Sequence, residues 1–188
     1  MQPTLTNSQY NLLKSDAESP ANAAALGAFI AANDDQAIAD WYNALASPTY
    51  WVWLNTLARK TILYTMSADG TTFDFNGAGF ITRAAGEREA WREIFADGPC
   101  NPSLQNIRKA MADIFSGGTP PAPANRAHLL AISRRATRRA EQLFAIAAAG
   151  VGNNGADPRG ATTNPDAMPT EGLLTYLEVA RALRNVMA

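Results

Sequence analysis

The chain predicts a mainly α protein: a helical bundle with a small β hairpin or protruding loop and an extended C-terminal arm. Three observations predict this class. Apolar residues recur at three- and four-residue steps through most of the chain. Alanine-rich runs favour helix over sheet. Gly, Pro and Asn fall between the periodic segments, where helices stop and start. The longest uninterrupted pattern runs from Asn125 to Ala149 and stacks Leu129, Ser133, Ala136, Ala140, Leu143, Phe144 and Ala147 on one stripe. The rest of the chain is expected to pack around this segment.

From the N-terminus, Thr6 followed by Gln9 is a capping-box pattern that opens a first short helix ending near Glu18. Pro20 at a first helical position starts a second helix to Ala32, with Ala24, Leu26, Phe29 and Ile30 inward, and Asn33 closes it. Asp34 and Asp35 then sit where carboxylates favour the positive end of a third helix, Gln36 to Ala46, with Ala37, Ile38, Trp41, Tyr42 and Leu45 on a wide apolar face. After Pro48, the segment Tyr50 to Leu54 reads as a further helical turn, with a short strand as the competing assignment. Trp41, Trp51 and Trp53, together with Phe144, are the expected core anchors. An aromatic platform for a ligand or a base is the competing role for the tryptophans.

Between Ala58 and Thr82 the pattern turns mixed, and the turn cluster at Ser67 to Gly70 with the alternation at Thr72 to Asn76 predicts a hairpin or loop inserted at about 67–82. Helical periodicity returns from Ala84 to about Ala96, and again after Asn101 and Pro102 with Leu104, Ile107, Met111, Ile114 and Phe115. Thr119 to Ala124 is a stiff proline-rich connector into the basic segment. The polar run from Gly150 to Pro169 is rich in Gly, Asn, Pro, Asp and Thr, and its length of about twenty residues predicts an arm, a linker or a binding loop, of which a flexible arm is the expectation adopted. That arm ends in an apolar helix with Leu173, Leu174, Tyr176 and Leu177, for which Thr175 and Glu178 supply a capping box, and the helix either reaches a neighbouring subunit or folds back on the same core. The expected division is therefore a helical domain over 1–149 and an arm plus terminal helix over 150–188.

Composition sets limits on function. The 188 residues are 47% hydrophobic and 18% charged, the values of an ordinary globule, with a formal net charge of -1. This balance argues against a generally basic nucleic-acid binder, but charge is uneven. Residues 126–139 hold five arginines and no acid, whereas residues 1–58 hold Lys14 against Asp16, Glu18, Asp34, Asp35 and Asp40. Cys100 is the one cysteine, so no intrachain disulfide forms and no cysteine zinc site exists. Neither a secretory leader at Met1 to Ser19 nor a stretch of the roughly 20 apolar residues that a membrane span requires is expected.

The chemistry is correspondingly sparse. His128 is the one histidine, so a two-histidine metal site is excluded, and Ser133 five residues on faces another way along a helix. Gly150, Gly152 and Gly155 lack the preceding strand and the spacing of a phosphate-binding loop. Glu87 with Glu89, and Asp34 with Asp35, read as solvated helix surface. No catalytic residue, metal or cofactor is assigned. Arg134, Arg135, Arg138 and Arg139 are the candidate contact residues, since guanidinium groups at helical spacing suit phosphates or an acidic partner. A solvated face pairing with Glu141 is the plain alternative.

Several stretches carry a resemblance. They are Ala39-Asp40-Trp41-Tyr42-Asn43 with Ala46-Ser47-Pro48, Trp51-Val52-Trp53, Asn106-Ile107-Arg108 with Asp113-Ile114-Phe115-Ser116-Gly117, Arg135-Ala136-Thr137-Arg138 with Glu141-Gln142-Leu143-Phe144-Ala145, and Glu171-Gly172 with Leu174 and Tyr176. In these the chain resembles a family of small proteins encoded among the virion genes of tailed bacteriophages. The resemblance is weakest from Ala58 to Arg83. It implies a structural, non-enzymatic head-to-tail connector of the virion neck, assembled in the host cytoplasm and joining portal to tail. It further implies a homo-oligomeric ring, twelve-fold on docking to a portal, whose arm residues Leu173, Leu174, Tyr176 and Leu177 clasp neighbouring copies. The four arginines would meet an acidic subunit surface or packaged DNA. The alternative is a small DNA-binding regulator that lays an Arg-rich helix, 126–146, in the major groove.

Overall fold

The computed structural model describes residues 5–63, 83–118 and 122–184. These are mainly helical, with one small two-stranded antiparallel sheet. In chain order the elements are α1 Asn7–Ala17, α2 Ala23–Ala32, α3 Asp35–Asn43, β1 Trp51–Trp53, α4 Arg59–Leu63, α5 Ala85–Ile94, α6 Gln105–Ile114, α7 Ala122–Ile132, β2 Arg134–Ala136, α8 Arg139–Phe144 and α9 Tyr176–Arg184. Two compact units share them, and each is assembled from separated stretches. The first takes Met1–Tyr50, Ala136–Ala145 and Pro169–Ala188; the second takes Trp51–Arg135 and Ile146–Met168. The packing thus follows a division other than the one expected at residue 149.

In the first unit the expected caps close α1 and α3. Gln9 N donates to Thr6 Oγ1 (3.3 Å) while Thr6 N donates to Gln9 Oε1 (2.9 Å), and Ala37 N donates to Asp34 Oδ1 (3.0 Å). Asn33 ends α2 in the left-handed conformation at φ 58°, which an asparagine tolerates better than most residues. Pro20 lies in a turn before α2 and not at its first position. Leu13, Leu26, Ile38, Ala39, Tyr42, Phe144, Leu174 and Val179 form the core. Each large aliphatic side chain buried there contributes about 1.5–3 kcal/mol.

Leu174, Val179 and Ala182, late in the chain, belong to this core. Helix α9 packs against α1 and α3, and its entry is held by Asn43, whose Nδ2 donates to Leu174 O while its Oδ1 accepts from Leu174 N, both at 2.8 Å. Gln9 Nε2 donates to Thr170 Oγ1 (2.7 Å), Arg181 lies 4.8 Å over the Tyr10 ring, and Arg184 pairs with Asp35. The Thr175 and Glu178 box is formed, with Thr175 N donating to Glu178 Oε2 at 2.7 Å. The segment expected as one flexible arm is therefore divided, its last part seated on the first unit and residues 150–168 folded into the second.

The second unit is built on α5, α6 and α7 around Trp91, Phe95, Met111, Ile114, Phe115 and Leu129. Trp91 is fully buried, with ring centroids 5.1 Å from Phe95 and 6.1 Å from Phe115. Trp51 to Trp53 form a strand, which settles that segment against a helical turn. The loop expected at 67–82 lies outside the described residues.

The largest correction concerns the basic segment. One helix from Asn125 to Ala149 does not form; α7 stops at Ile132, β2 follows, and α8 starts at Arg139. Ser133 is fully buried, and its hydroxyl donates to Leu129 O (2.6 Å), a back-bond that competes with helix continuation. Leu54 N then donates to Ser133 O at 2.8 Å, drawing the chain alongside β1. Further on, Thr137 N donates to Tyr50 O (2.8 Å), Ala46 N to Thr137 O (3.0 Å) and Arg139 N to Ala44 O (3.0 Å). Backbone pairing of this extent overrides local helix preference. Without the continuous helix, the major-groove alternative loses its recognition element.

Candidate functional site

The four candidate arginines do not share one helical face. Arg134 and Arg135 are consecutive in β2, where successive side chains leave on opposite sides of the strand. Arg134 donates to Thr162 O, and burial lowers its pKa below the ordinary value; Arg135 reaches the Met168 sulfur at 4.0 Å. Arg138 precedes α8, its backbone N–H donating to Glu141 Oε2 at 3.0 Å. Arg139 stands at the start of α8, donates from Nη1 to Trp41 O (2.9 Å), and stacks on the Trp41 ring at 4.5 Å. The first two thus serve the second unit and the last two the first.

Of the expected core anchors, Trp53 is fully buried and Phe144 nearly so, whereas Trp41 and Trp51 are half-buried. The tryptophans divide between the units, Trp41 in the first and Trp51 and Trp53 in the second. Of the expected arm residues, Leu174 is a core residue, but Leu173, Tyr176 and Leu177 remain 46%, 51% and 54% exposed. Leu12, on the helix that packs against α9, is 44% exposed. The pair α1 and α9 therefore seals one side with Tyr10, Leu13, Val179 and Ala182 and leaves large apolar groups of both helices in water.

A cleft of about 430 Å³ opens in the first unit, lined by Asp16, Asn22, Trp41, Tyr42, Ser47, Arg139, Gln142 and Leu143. At one part of it Asp16 Oδ2 accepts from the Tyr42 hydroxyl (2.6 Å) and from Asn22 Nδ2 (3.0 Å). Burial, reinforced by this bond to Asp16, holds the Tyr42 phenol above its usual range, so Tyr42 is a fixed donor. Elsewhere in the lining the Arg139 guanidinium lies on the Trp41 indole. Tyr42 and Trp41 meet edge to face at 4.9 Å, which fixes the two ends of the lining on one rigid pair.

The second unit holds a residue that sequence reading passed over. Arg108 is fully buried on α6, 4.5 Å over the Trp53 ring, and makes no ion pair with a carboxylate of the described residues. Its donors go to backbone carbonyls: Nε to Val151 O (2.8 Å), Nη1 to Pro102 O and Ser103 O (2.8 Å each), and Nη2 to Ala149 O (2.5 Å), with Asn153 Oδ1 at 3.4 Å. Burial lowers its pKa to about 10, so it is charged at neutral pH. The signal was present: 104, 108, 111 and 115 share one helical stripe, and three of those residues are apolar.

Arg108 anchors the start of a loop that is closed by its own polar side chains. Asn153 Nδ2 donates to Asn164 Oδ1 (2.9 Å) and Pro165 O (2.7 Å), and Arg159 reaches the buried Asp166 carboxylate at 2.5 Å. Asp166 N donates to Trp51 O (3.1 Å), and Trp53 N to Asp166 O (2.8 Å), so the loop backbone continues the pairing of β1. Gly152, at φ +86°, passes so close to Trp53 that an added Cβ would fall 2.6 Å from its ring. The glycine is there for clearance and backbone sign, not for flexibility.

The remaining candidates lie outside this cleft. His128 is buried on α7, and burial lowers its pKa. Glu87 accepts from Ala84 N (2.8 Å) at the start of α5, and Glu89 pairs with Arg92 on the surface at 2.9 Å. Among the described residues no cluster of His, Cys, Asp and Glu is placed to hold a metal ion, and no helix is long and apolar enough to cross a membrane. No protein-family model, curated protein or solved structure matches the chain.

Proposed function

We propose that the protein is a structural component of a tailed-phage virion, a head-to-tail connector in the neck that forms a homo-oligomeric ring between portal and tail and turns over no substrate. Support comes chiefly from α1, α9 and the stretch leading into α9, where Leu12, Leu173, Tyr176 and Leu177 leave about half of each large apolar side chain in water. Burying the remainder against another copy would contribute roughly 1 kcal/mol per side chain at about 25 cal/mol per Å². Four such groups contribute roughly 4 kcal/mol, comparable to the lower end of the cost of association, so in this reading closure of the ring and docking on the portal supply the remainder. In this reading the terminal helix acts while docked on its own unit, and the clasp is its exposed row. Arg138, half-buried just before α8, is the remaining basic contact for an acidic neighbouring surface or for packaged DNA.

The test is the mass of the full chain in solution, alone and mixed with a phage portal ring. The expected result is a discrete oligomer or a stoichiometric complex with the portal. Changing Leu173 and Leu177 together to Ser should return the chain to monomer with an unchanged far-ultraviolet spectrum. A wild-type chain that stays monomeric at tens of micromolar and ignores the portal would overturn the proposal.

A further inference from the structure

The cleft of the first unit carries two opposite charges that do not neutralise each other. Arg139 spends one N–H on Trp41 O and is held flat by the indole, and its Nε and Nη2 donors have no acceptor among the described residues. Asp16 is held through Oδ2 by Tyr42 and Asn22, which leaves Oδ1 without a donor among the described residues. No ion pair joins Asp16 to Arg139, although both line the same space. Ser47 and Gln142 line it too and make no side-chain hydrogen bond there with a described residue. On an ordinary surface, long charged side chains move until they pair or face bulk water. Here both are fixed by neighbours, keep unused capacity, and line one cleft of about 430 Å³, within the range of small-molecule sites.

We propose that this cleft binds a small zwitterion of amino-acid to dipeptide size. Its carboxylate meets the open fork of Arg139, assisted by Gln142 or Ser47, and its ammonium meets the free oxygen of Asp16. An anion alone would leave Asp16 unanswered and add like charge beside it, and a cation alone would do the same at Arg139. The specificity therefore lies in carrying both charges at one spacing. The lining uses none of Leu173, Tyr176 and Leu177, so the site does not depend on the assembly proposal.

The test uses the full chain at neutral pH, with glycylglycine, N-acetylglycine, glycinamide and the doubly blocked, uncharged N-acetylglycinamide followed by calorimetry or amide chemical shifts. Glycylglycine is expected to saturate, with shifts confined to the cleft residues, and each of the other three to bind at least tenfold more weakly. Arg139→Gln should weaken glycylglycine at least tenfold while leaving the melting temperature within a few degrees. Asp16→Asn should do the same, and because it also disturbs Tyr42, Gln142→Ala serves as a second variant, expected to weaken binding severalfold. The proposal is overturned by no saturation at tens of millimolar, by equal binding of any singly or doubly blocked compound, or by unchanged affinity in Arg139→Gln.

Discussion

Replacing Arg108 with Met removes a buried cation while keeping a long, apolar side chain in its place. Five donor contacts disappear, four of them at 2.8 Å or shorter and the fifth, to Asn153, weak at 3.4 Å. Hydrogen bonds to a charged group are each worth about 1.5–3 kcal/mol, so the four good ones amount to roughly 6–12 kcal/mol before any compensation. Two effects reduce this. Returning a guanidinium to water on unfolding recovers several kcal/mol of desolvation, and the methionine keeps part of the packing on Trp53. The net loss should be about 3–5 kcal/mol, the range found when one partner of a buried charged contact is deleted. Arg108→Lys keeps the charge but cannot reach Pro102, Ser103, Ala149 and Val151 together, and should lose about half as much. Urea denaturation followed by tryptophan fluorescence measures both, and hydrogen exchange at residues 149–153 locates the effect. If Arg108→Met costs less than about 1 kcal/mol, or exchange in the loop is unchanged, the guanidinium is not what holds the loop to α6.

Gly152→Ala should destabilise the second unit by roughly 2–4 kcal/mol, from a left-handed backbone angle and a clash with the Trp53 ring. Gly155→Ala, with nothing within 4 Å, should stay within about 0.5 kcal/mol in the same denaturation series. The Cys100 thiol is pushed up to about 12 by burial, so a thiol reagent at pH 8 should leave the folded chain largely unmodified and react rapidly once urea unfolds it. His128 is held below its ordinary value of 6.5, so under acid the unfolded chain takes a proton that the folded chain refuses. Stability should therefore fall as pH drops below about 6.5, and a melting series in His128→Gln should lack that part of the slope. Asn43→Ala should loosen α9 by about 1–3 kcal/mol through loss of both Leu174 bonds, read as faster exchange at residues 174–184.

Short-range features were legible because their physics is complete within a few residues. The Thr6 and Gln9 box, the Asp34 cap, the Asn33 stop and the Thr175 and Glu178 box each involve groups at most four positions apart. The basic segment failed for the opposite reason. Arginine and alanine favour helix, and the apolar steps from Leu129 to Ala147 fit a helical period. What breaks the helix is the backbone of Tyr50 and Leu54, about eighty positions away in sequence. The same separation hid the cleft. Arg139 stood out as a candidate by type, but its stacking partner Trp41 is 98 positions earlier. Asp16 gave no sign that Tyr42, 26 positions on, would fix it in place.

Residues 150–168 show why composition misleads in one particular direction. Asn, Asp, Thr and Gly lower the hydrophobic content of a segment, and low hydrophobicity normally means too little burial to offset the entropy of ordering. Those same side chains are also the ones that hydrogen-bond to nearby backbone and close compact loops. Which outcome prevails depends on whether an anchor lowers the cost of ordering from outside the segment. Here Arg108 grips the carbonyls of Ala149 and Val151 at one end, and β1 pairs with Asp166 at the other. With both ends fixed, Asn153, Asn164 and Arg159 add bonds to a loop whose closure is already largely met. The sequence element that distinguishes an ordered polar loop from a flexible arm is therefore the arginine on the apolar stripe of α6, not anything within the loop itself.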